Sequence, residues 1–181
     1  KIVHHDFKPA NVIFTRKGVA KIADFSLYGS SLLLELFDKG AGEQVTPMFV
    51  APEFLRKEHV TPRSDQYSLG VTMYQLFAGE LPFRAPQLTA LMYKIANEKH
   101  PDIRNYNPRL APCVGAIVNT ALQKDPAKRF PTAAQFATAL EQADRSFPID
   151  RAGRAPTVQF LIIEQGLQHE IALADAQAPF H

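Results

Sequence analysis

Four polar side chains lie close together near the start of this 181-residue chain. Asp6 has a carboxylate, Lys8 adds a cation two residues later, and Asn11 adds an amide; Asp24 follows after a short apolar stretch. Moving a phosphoryl group to a hydroxyl requires a proton acceptor, a cation that offsets growing charge, and hard oxygen ligands that hold Mg2+ against a nucleotide. The four side chains suit those tasks in the order given.

A short hairpin is predicted between Asn11 and Asp24. The apolar runs Val12 to Phe14 and Val19 to Ile22 flank Lys17-Gly18, and such a layout is typical of two short strands around a tight turn. The hairpin would separate the two halves of the polar group along the chain.

The rest of the chain as far as residue 144 indicates helices. Ser64-Asp65 is a good helix cap, and the apolar run after it stops at Gly79. Because apolar residues surround this helix almost completely, we expect it in the middle of a domain. Further helices are predicted at Leu88 to Glu98, Val114 to Leu122, and Ala133 to Ala143, the last with a capping box of Thr132 and Gln135.

Composition is that of an ordinary globular domain, with 46% hydrophobic and 21% charged residues. The net charge of +2 is too small and too scattered to indicate a nucleic-acid partner. One cysteine, Cys113, excludes an internal disulfide framework and favours a reducing, cytoplasmic location. We expect no membrane segment within these residues, because no run approaches about 18 apolar residues.

Five motifs resemble those of the bacterial eukaryotic-like (Hanks-type) Ser/Thr protein kinases. Residues 4–11, His-His-Asp-Phe-Lys-Pro-Ala-Asn, are similar to the catalytic loop, and 24–26, Asp-Phe-Ser, to the magnesium motif. Residues 46–53 resemble the end of the activation segment, 64–71 the start of the central helix, and 125–129 a later motif. The motifs stand in family order from residue 1 to about 144.

The resemblance implies roles for the polar residues. Asp6 would be the catalytic base, and Lys8 would contact the γ-phosphate of ATP. Asn11 and Asp24 would bind Mg2+ and, with it, the nucleotide. Thr46 would hydrogen-bond to Asp6 and Lys8, which makes it a fourth member of the catalytic set beside Asp6, Lys8 and Asn11.

Further residues receive structural roles from the same resemblance. His4 would belong to the framework of the catalytic loop, and Asp65 would brace the loop backbone. Glu53 and Arg129 would form a buried bidentate ion pair. The segment from Phe49 to Glu53 would shape the groove beside the acceptor hydroxyl.

The implied fold is mainly α (α+β): a protein-kinase-like large (C-terminal) lobe, with a helical bundle around a central buried helix and a small β-hairpin at the catalytic loop. We expect residues 1–147 to form this lobe, 148–156 a linker, and 157–181 a C-terminal extension with a possible β-hairpin. The small lobe (N-lobe) is absent from these residues, and we expect it normally in cis.

The resemblance implies a Ser/Thr protein kinase that uses ATP and Mg2+ and acts on a protein substrate. Substitutions keep open a pseudokinase that serves as a regulatory or binding module: His5 stands where many members carry Arg, and Ser26 and Val45 replace glycines. A small-molecule phosphotransferase with a similar loop is the other alternative. Lys8 and the segment 46–53 favour a protein substrate over that alternative.

Overall fold

The two described strands form the predicted hairpin. A computed structural model describes residues 2–25 and 47–146 of the chain, with the side chain of residue 146 left aside. Strands β1 (Val12–Phe14) and β2 (Ala20–Ile22) pair antiparallel, with Val12 opposite Ile22. Gly18 in the turn has a φ of +78°, in the left-handed region that glycine enters without a steric cost.

Helices make up most of the described ranges. They are α1 (Pro52–Leu55), α2 (Pro62–Ala78), α3 (Leu88–Asn97), α4 (Pro112–Ala121) and α5 (Ala133–Ser146). Short 3-10 turns lie at Pro9–Asn11, Pro47–Phe49, Ile103–Asn105 and Pro126–Lys128. This mainly helical architecture with one small hairpin confirms the expected fold class.

Helix α2 begins earlier than the sequence indicated. Its cap is Thr61, whose hydroxyl accepts the Arg63 N–H, while the Ser64 hydroxyl accepts the Thr61 N–H. Pro62 occupies the first helical position, where its missing N–H costs nothing. The prediction of a cap at Ser64-Asp65 was therefore wrong. The predicted end was right, since Gly79 closes the helix with a φ of +72°.

Helix α2 forms the centre of the described fold, as the apolar residues that surround it almost completely predicted. Tyr67, Val71, Met73 and Tyr74 on this helix have no exposed surface at all. Helices α4, α5 and the 47–49 turn pack against it. Because residues 66–74 are buried without interruption, side chains on several faces of this helix can hold surrounding segments at once.

The remaining helices match the predictions with shifted ends. Helix α3 starts at Leu88 as expected, and α5 starts at Ala133 with its Gln135 N–H bonded to the Thr132 hydroxyl. Helix α4 starts at Pro112, two residues early. Residues 148–156 and 157–181 lie outside the described residues, so the linker and the terminal hairpin stay predictions. No helix of the described part is both long and apolar enough to cross a bilayer.

Candidate active site

The hairpin brings the two halves of the polar group to one end. Asn11 ends the 3-10 turn that leads into β1, and its carbonyl oxygen accepts the Ala23 N–H at 2.8 Å. Asp24 follows directly, with a φ of +56° that redirects the chain. Aspartate is among the few non-glycine residues that adopt this backbone conformation with some frequency. Asn11 and Asp24 are thereby placed at the same end of the hairpin.

Asp6, Lys8 and Asn11 meet at a single carboxylate oxygen. The Lys8 ammonium lies 2.7 Å from Asp6 Oδ2, and the Asn11 amide donates to that oxygen at 3.2 Å. The same amide also donates to the Asp6 carbonyl oxygen at 2.8 Å. Oδ1 of Asp6 takes no hydrogen bond from a described residue. Two donors from the loop itself therefore fix the orientation of the Asp6 carboxylate.

The donor set beside Asp6 suits a hard cation. Because the nitrogen of the Asn11 amide is directed to Asp6, its Oδ1 is the atom left to act as a ligand. Asp24 is exposed and adds a carboxylate. Magnesium is usually held by one or two such oxygens together with substrate phosphates. Within 2–25 and 47–146, no group of three or more His, Cys, Asp or Glu residues is placed to hold a metal ion.

His4 joins the catalytic loop to the far end of the hairpin. Its Nε2 lies 2.9 Å from the Ala23 carbonyl oxygen, which can only accept, so Nε2 carries the proton. Nδ1 then accepts the Asp6 N–H at 3.3 Å. The ring also packs on Phe25, with centroids 4.5 Å apart. One buried, neutral imidazole thus ties the Asp6 backbone to the chain just before Asp24.

Asp65 holds the backbone of the same loop from α2. Its carboxylate accepts the N–H of His4 at 2.8 Å and that of His5 at 3.1 Å. Burial raises the pKa of Asp65 above its ordinary value, although the two N–H donors act in the opposite direction. His5 has a φ of +69°, and its buried Nδ1 has no partner among the described residues. The loop therefore depends on Asp65 to stay in an uncommon backbone conformation.

Glu53 and Arg129 form a fully buried pair across 76 positions of sequence. Both guanidinium nitrogens lie 2.7 Å from a Glu53 oxygen, one on each, and the side chains are 1% and 0% exposed. Burial alone would raise the pKa of Glu53. The bonds and charge of Arg129, helped by the Ser64 hydroxyl, outweigh burial and hold that pKa below its ordinary value.

Two serines of α2 also contact the segment around Glu53, and sequence reasoning missed them. The Ser64 hydroxyl donates to Glu53 Oε1 at 2.6 Å, and the Ser68 hydroxyl donates to the Phe49 carbonyl oxygen at 2.8 Å. The available signal was the spacing of the two hydroxyls, four residues apart in a predicted helix, which places both on one face. Thr46, Ser26 and Val45, by contrast, lie outside the described residues.

Comparison with known proteins gives a consistent result. The family model described as "Protein kinase domain" matches residues 1–140. The chain is 38% identical over 133 residues to Serine/threonine-protein kinase PksC of Streptomyces coelicolor, covering 73% of this chain and 24% of that protein. It is 33% identical over 141 residues to Serine/threonine-protein kinase PknB of Mycolicibacterium smegmatis, covering 75% and 22%.

A third relative extends the same pattern. Serine/threonine-protein kinases PknA of Corynebacterium glutamicum is 32% identical over 139 residues, which cover 77% of this chain and 29% of that protein. The chain thus spans about a quarter of the length of these relatives. With the family match over residues 1–140 and the oriented carboxylate at the end of the hairpin, the chain belongs to the protein kinase domain family.

Proposed function

We propose that the protein carrying this chain is a Ser/Thr protein kinase, which transfers the γ-phosphate of ATP to hydroxyls of a protein substrate. One observation carries the proposal: Lys8 and Asn11 both bind Oδ2 of Asp6, and no residue within 2–25 or 47–146 donates to its other oxygen, which we assign to the acceptor hydroxyl. The names of the relatives agree with it.

In the proposed reaction the open oxygen of Asp6 accepts the proton of the acceptor hydroxyl. The hydroxyl oxygen then forms a bond to the γ-phosphorus, and the bond from that phosphorus to the bridging oxygen of ADP breaks. Lys8 lies next to the carboxylate and would offset charge on the transferred group. When bound, Mg2+ supplies charge neutralisation at the phosphates. Asn11 Oδ1 and the Asp24 carboxylate would hold it.

The segment that begins at residue 47, where the described part of the chain resumes, supports a protein substrate. Residues 47–51 are held against α2 beside the catalytic loop, and the cavity between them is lined by Asp6, Val50 and Ala51. Val50 and Ala51 therefore lie beside Asp6, and we propose that they flank the acceptor hydroxyl of a bound peptide. We therefore propose a peptide acceptor in place of a small alcohol.

The test uses the complete natural protein with radiolabelled ATP, Mg2+ and a protein acceptor. Asp6→Asn keeps the size of the side chain and its bond to Asn11 but removes the base, so we expect phosphate transfer to fall by about a hundredfold or more. Circular dichroism and the unfolding midpoint should change little.

Lys128→Met, a change at an exposed residue of the 126–128 turn, is the control for handling and should transfer phosphate at the wild-type rate. Transfer that survives in Asp6→Asn at the wild-type rate would contradict the proposed base. A wild-type protein that binds partners without transferring phosphate would instead favour the pseudokinase alternative.

A further inference from the structure

Two serine hydroxyls on one face of α2 hold the two ends of the segment from Phe49 to Glu53, defined here as the acceptor segment. Ser64 donates to the Glu53 carboxylate, and Ser68 donates to the Phe49 carbonyl oxygen. Ser64 and Ser68 are four residues apart, so they lie one above the other on the helix. The Glu53 end has Arg129 as a second anchor, whereas the Phe49 end is joined to α2 through Ser68.

The bond at the Phe49 end is well protected from water. Ser68 and Phe49 are each only 7% exposed, and the donor–acceptor distance is 2.8 Å. The Ser68 oxygen also lies 3.3 Å from the Ser64 carbonyl oxygen, a longer contact within the helix. Removing a hydroxyl from such a place leaves a buried carbonyl without that donor, which favours movement of the segment that carries it.

The same turns of α2 hold the catalytic loop. Asp65, next to Ser64, accepts the N–H groups of His4 and His5 immediately before Asp6. A cavity of about 30 Å3 lies between the loop and the acceptor segment, and Ser68 lines it together with Asp6, Val50 and Ala51. The Phe49 end of the acceptor segment and the loop before Asp6 are therefore both held by side chains of a single helix.

We propose that Ser68 is a positioning residue for the protein substrate. Through the Phe49 carbonyl it fixes the acceptor segment relative to the Asp6 carboxylate, without touching nucleotide or substrate itself. This inference rests on the proposed function, because it assigns the acceptor segment a role in holding a peptide. If Ser68 has this role, its loss should weaken binding of the peptide acceptor and leave binding of ATP unchanged.

The experiment compares the Michaelis constants for a peptide acceptor and for ATP in the complete natural protein. Loss of one buried hydrogen bond should raise the peptide KM about tenfold in Ser68→Ala, while the ATP KM stays within about twofold. Ser68→Cys keeps the shape of the side chain, with a larger and more weakly donating thiol, so it should give an intermediate peptide KM. This second variant is used if Ser68→Ala does not fold.

Thr72→Ser is the matched control. Thr72 is buried one turn further along α2, and its hydroxyl bonds to the Ser68 carbonyl oxygen and not to the acceptor segment. The substitution keeps the hydroxyl and removes a buried methyl, so it perturbs the same helix without loosening Phe49. Its peptide KM should stay within about twofold of the wild type.

Hydrogen exchange supplies a measurement that does not depend on activity. Amides of residues 49–51 should exchange faster in Ser68→Ala than in Thr72→Ser, while those of 4–6 remain unchanged. An active wild type with an unchanged peptide KM in Ser68→Ala overturns the Ser68 inference alone. Equal changes in Ser68→Ala and Thr72→Ser also overturn it. A wild type without transfer overturns the proposed function, and the exchange data then show separately whether Ser68 holds the segment.

Discussion

At the scale of single residues, the Glu53–Arg129 pair shows how partners decide the state of a buried charge. The two side chains are almost completely buried and share two bonds of 2.7 Å. Arg129 also donates from Nε to the Gln123 carbonyl oxygen and from Nη1 to the Arg63 carbonyl oxygen, so each of its three nitrogens is hydrogen-bonded. Removing either partner of such a pair is far more costly than the pair's net contribution, because one charge stays buried alone.

The corresponding prediction concerns Arg129→Met. We expect the free energy of unfolding to fall by about 3–5 kcal/mol, because the Glu53 carboxylate loses both of its bonds to the guanidinium. Urea unfolding followed by circular dichroism measures the change. Arg145→Met is the control, since Arg145 is 79% exposed and 3.6 Å from Glu141; we expect less than about 0.5 kcal/mol there. Equal losses in the two variants would contradict the argument.

At the scale of elements, α2 and α4 approach each other at Gly70. A Cβ atom added at Gly70 would lie 2.8 Å from the Ala121 Cβ and 3.2 Å from a Leu122 methyl group. Real Cβ atoms do not come so close, and the surrounding core is packed too densely to move freely. Gly70 is therefore required by the contact between the two helices and not by its own backbone conformation.

Gly70→Ala should lower the free energy of unfolding by about 1–3 kcal/mol through overpacking. Gly115→Ala on α4 is the matched comparison, because its added Cβ would meet Arg104 at an ordinary 3.5 Å. There, the better helix propensity of alanine should leave stability unchanged or raise it by up to about 1 kcal/mol. Thermal unfolding of both variants measures whether stability falls in Gly70→Ala and stays the same or rises in Gly115→Ala.

A second prediction at this scale concerns the link from α2 to the catalytic loop. In Asp65→Asn the amide can accept only one of the N–H groups of His4 and His5, and its own NH2 group would face the other. We expect kcat to fall about a hundredfold, because a small displacement of the loop misplaces Asp6. Stability should suffer much less, since burial already disfavours the charged form of Asp65.

Steady-state kinetics and urea unfolding of Asp65→Asn together test whether kcat falls much more than stability does. Asp102→Asn is the control, because the Asp102 carboxylate also accepts a backbone N–H, that of Arg104 at 2.9 Å, in the 103–105 turn. Its kcat should stay within about twofold of the wild type. A kcat loss in Asp65→Asn that merely parallels unfolding would count against a link to the loop.

At the scale of the whole molecule, pH should affect stability through Lys124. Its ammonium donates to the Ile95 carbonyl oxygen at 2.5 Å and lies 4.1 Å from the centre of the Phe83 ring. Burial, together with the charge of Arg129, lowers the pKa of Lys124 to about 8. An unfolded lysine keeps its proton to about pH 10.4, so the unfolded chain binds more protons above pH 8.

Stability contributed by Lys124 should therefore rise with pH from about 8 towards 10. Above about pH 10 the trend reverses, because burial raises the pKa of Tyr67 and Tyr74 and only the unfolded tyrosines ionise readily. Urea midpoints at about pH 7.5 and 9.5 measure the rise. Lys124→Met should remove it, whereas Lys17→Met, in the exposed hairpin turn, should keep it. A rise that persists in Lys124→Met would contradict the assignment.

Local patterns predicted the elements well wherever a single stretch of chain contained the reason. The hairpin follows from apolar runs around Lys17-Gly18, and the starts of α3 and α5 were predicted to the residue. Errors arose at α2 and α4, where a proline sits at the first helical position. Helix α1, only four residues long, was not predicted, because a single turn has no apolar periodicity.

The sequence predicted some features of the candidate site and not others. Asp6, Lys8, Asn11 and Asp24 could be selected because their side-chain types and order along the chain are visible in the sequence. The proton position on His4, the choice of Oδ2 on Asp6 by both Lys8 and Asn11, and the bond from Ser68 to Phe49 could not, since each depends on how atoms are placed in the folded chain.

Residue types and local spacing were thus sufficient to predict the hairpin and the central helix and to select candidate residues for the chemistry, because side-chain inventory and periodicity are properties of neighbouring residues. The folded chain alone decided which atoms face each other: Arg129 reaches Glu53 across 76 positions, and Asp65 reaches the catalytic loop across about 60. Burial and pairing of charges follow from those long-range contacts, and with them the pKa shifts at Glu53, Asp65 and Lys124.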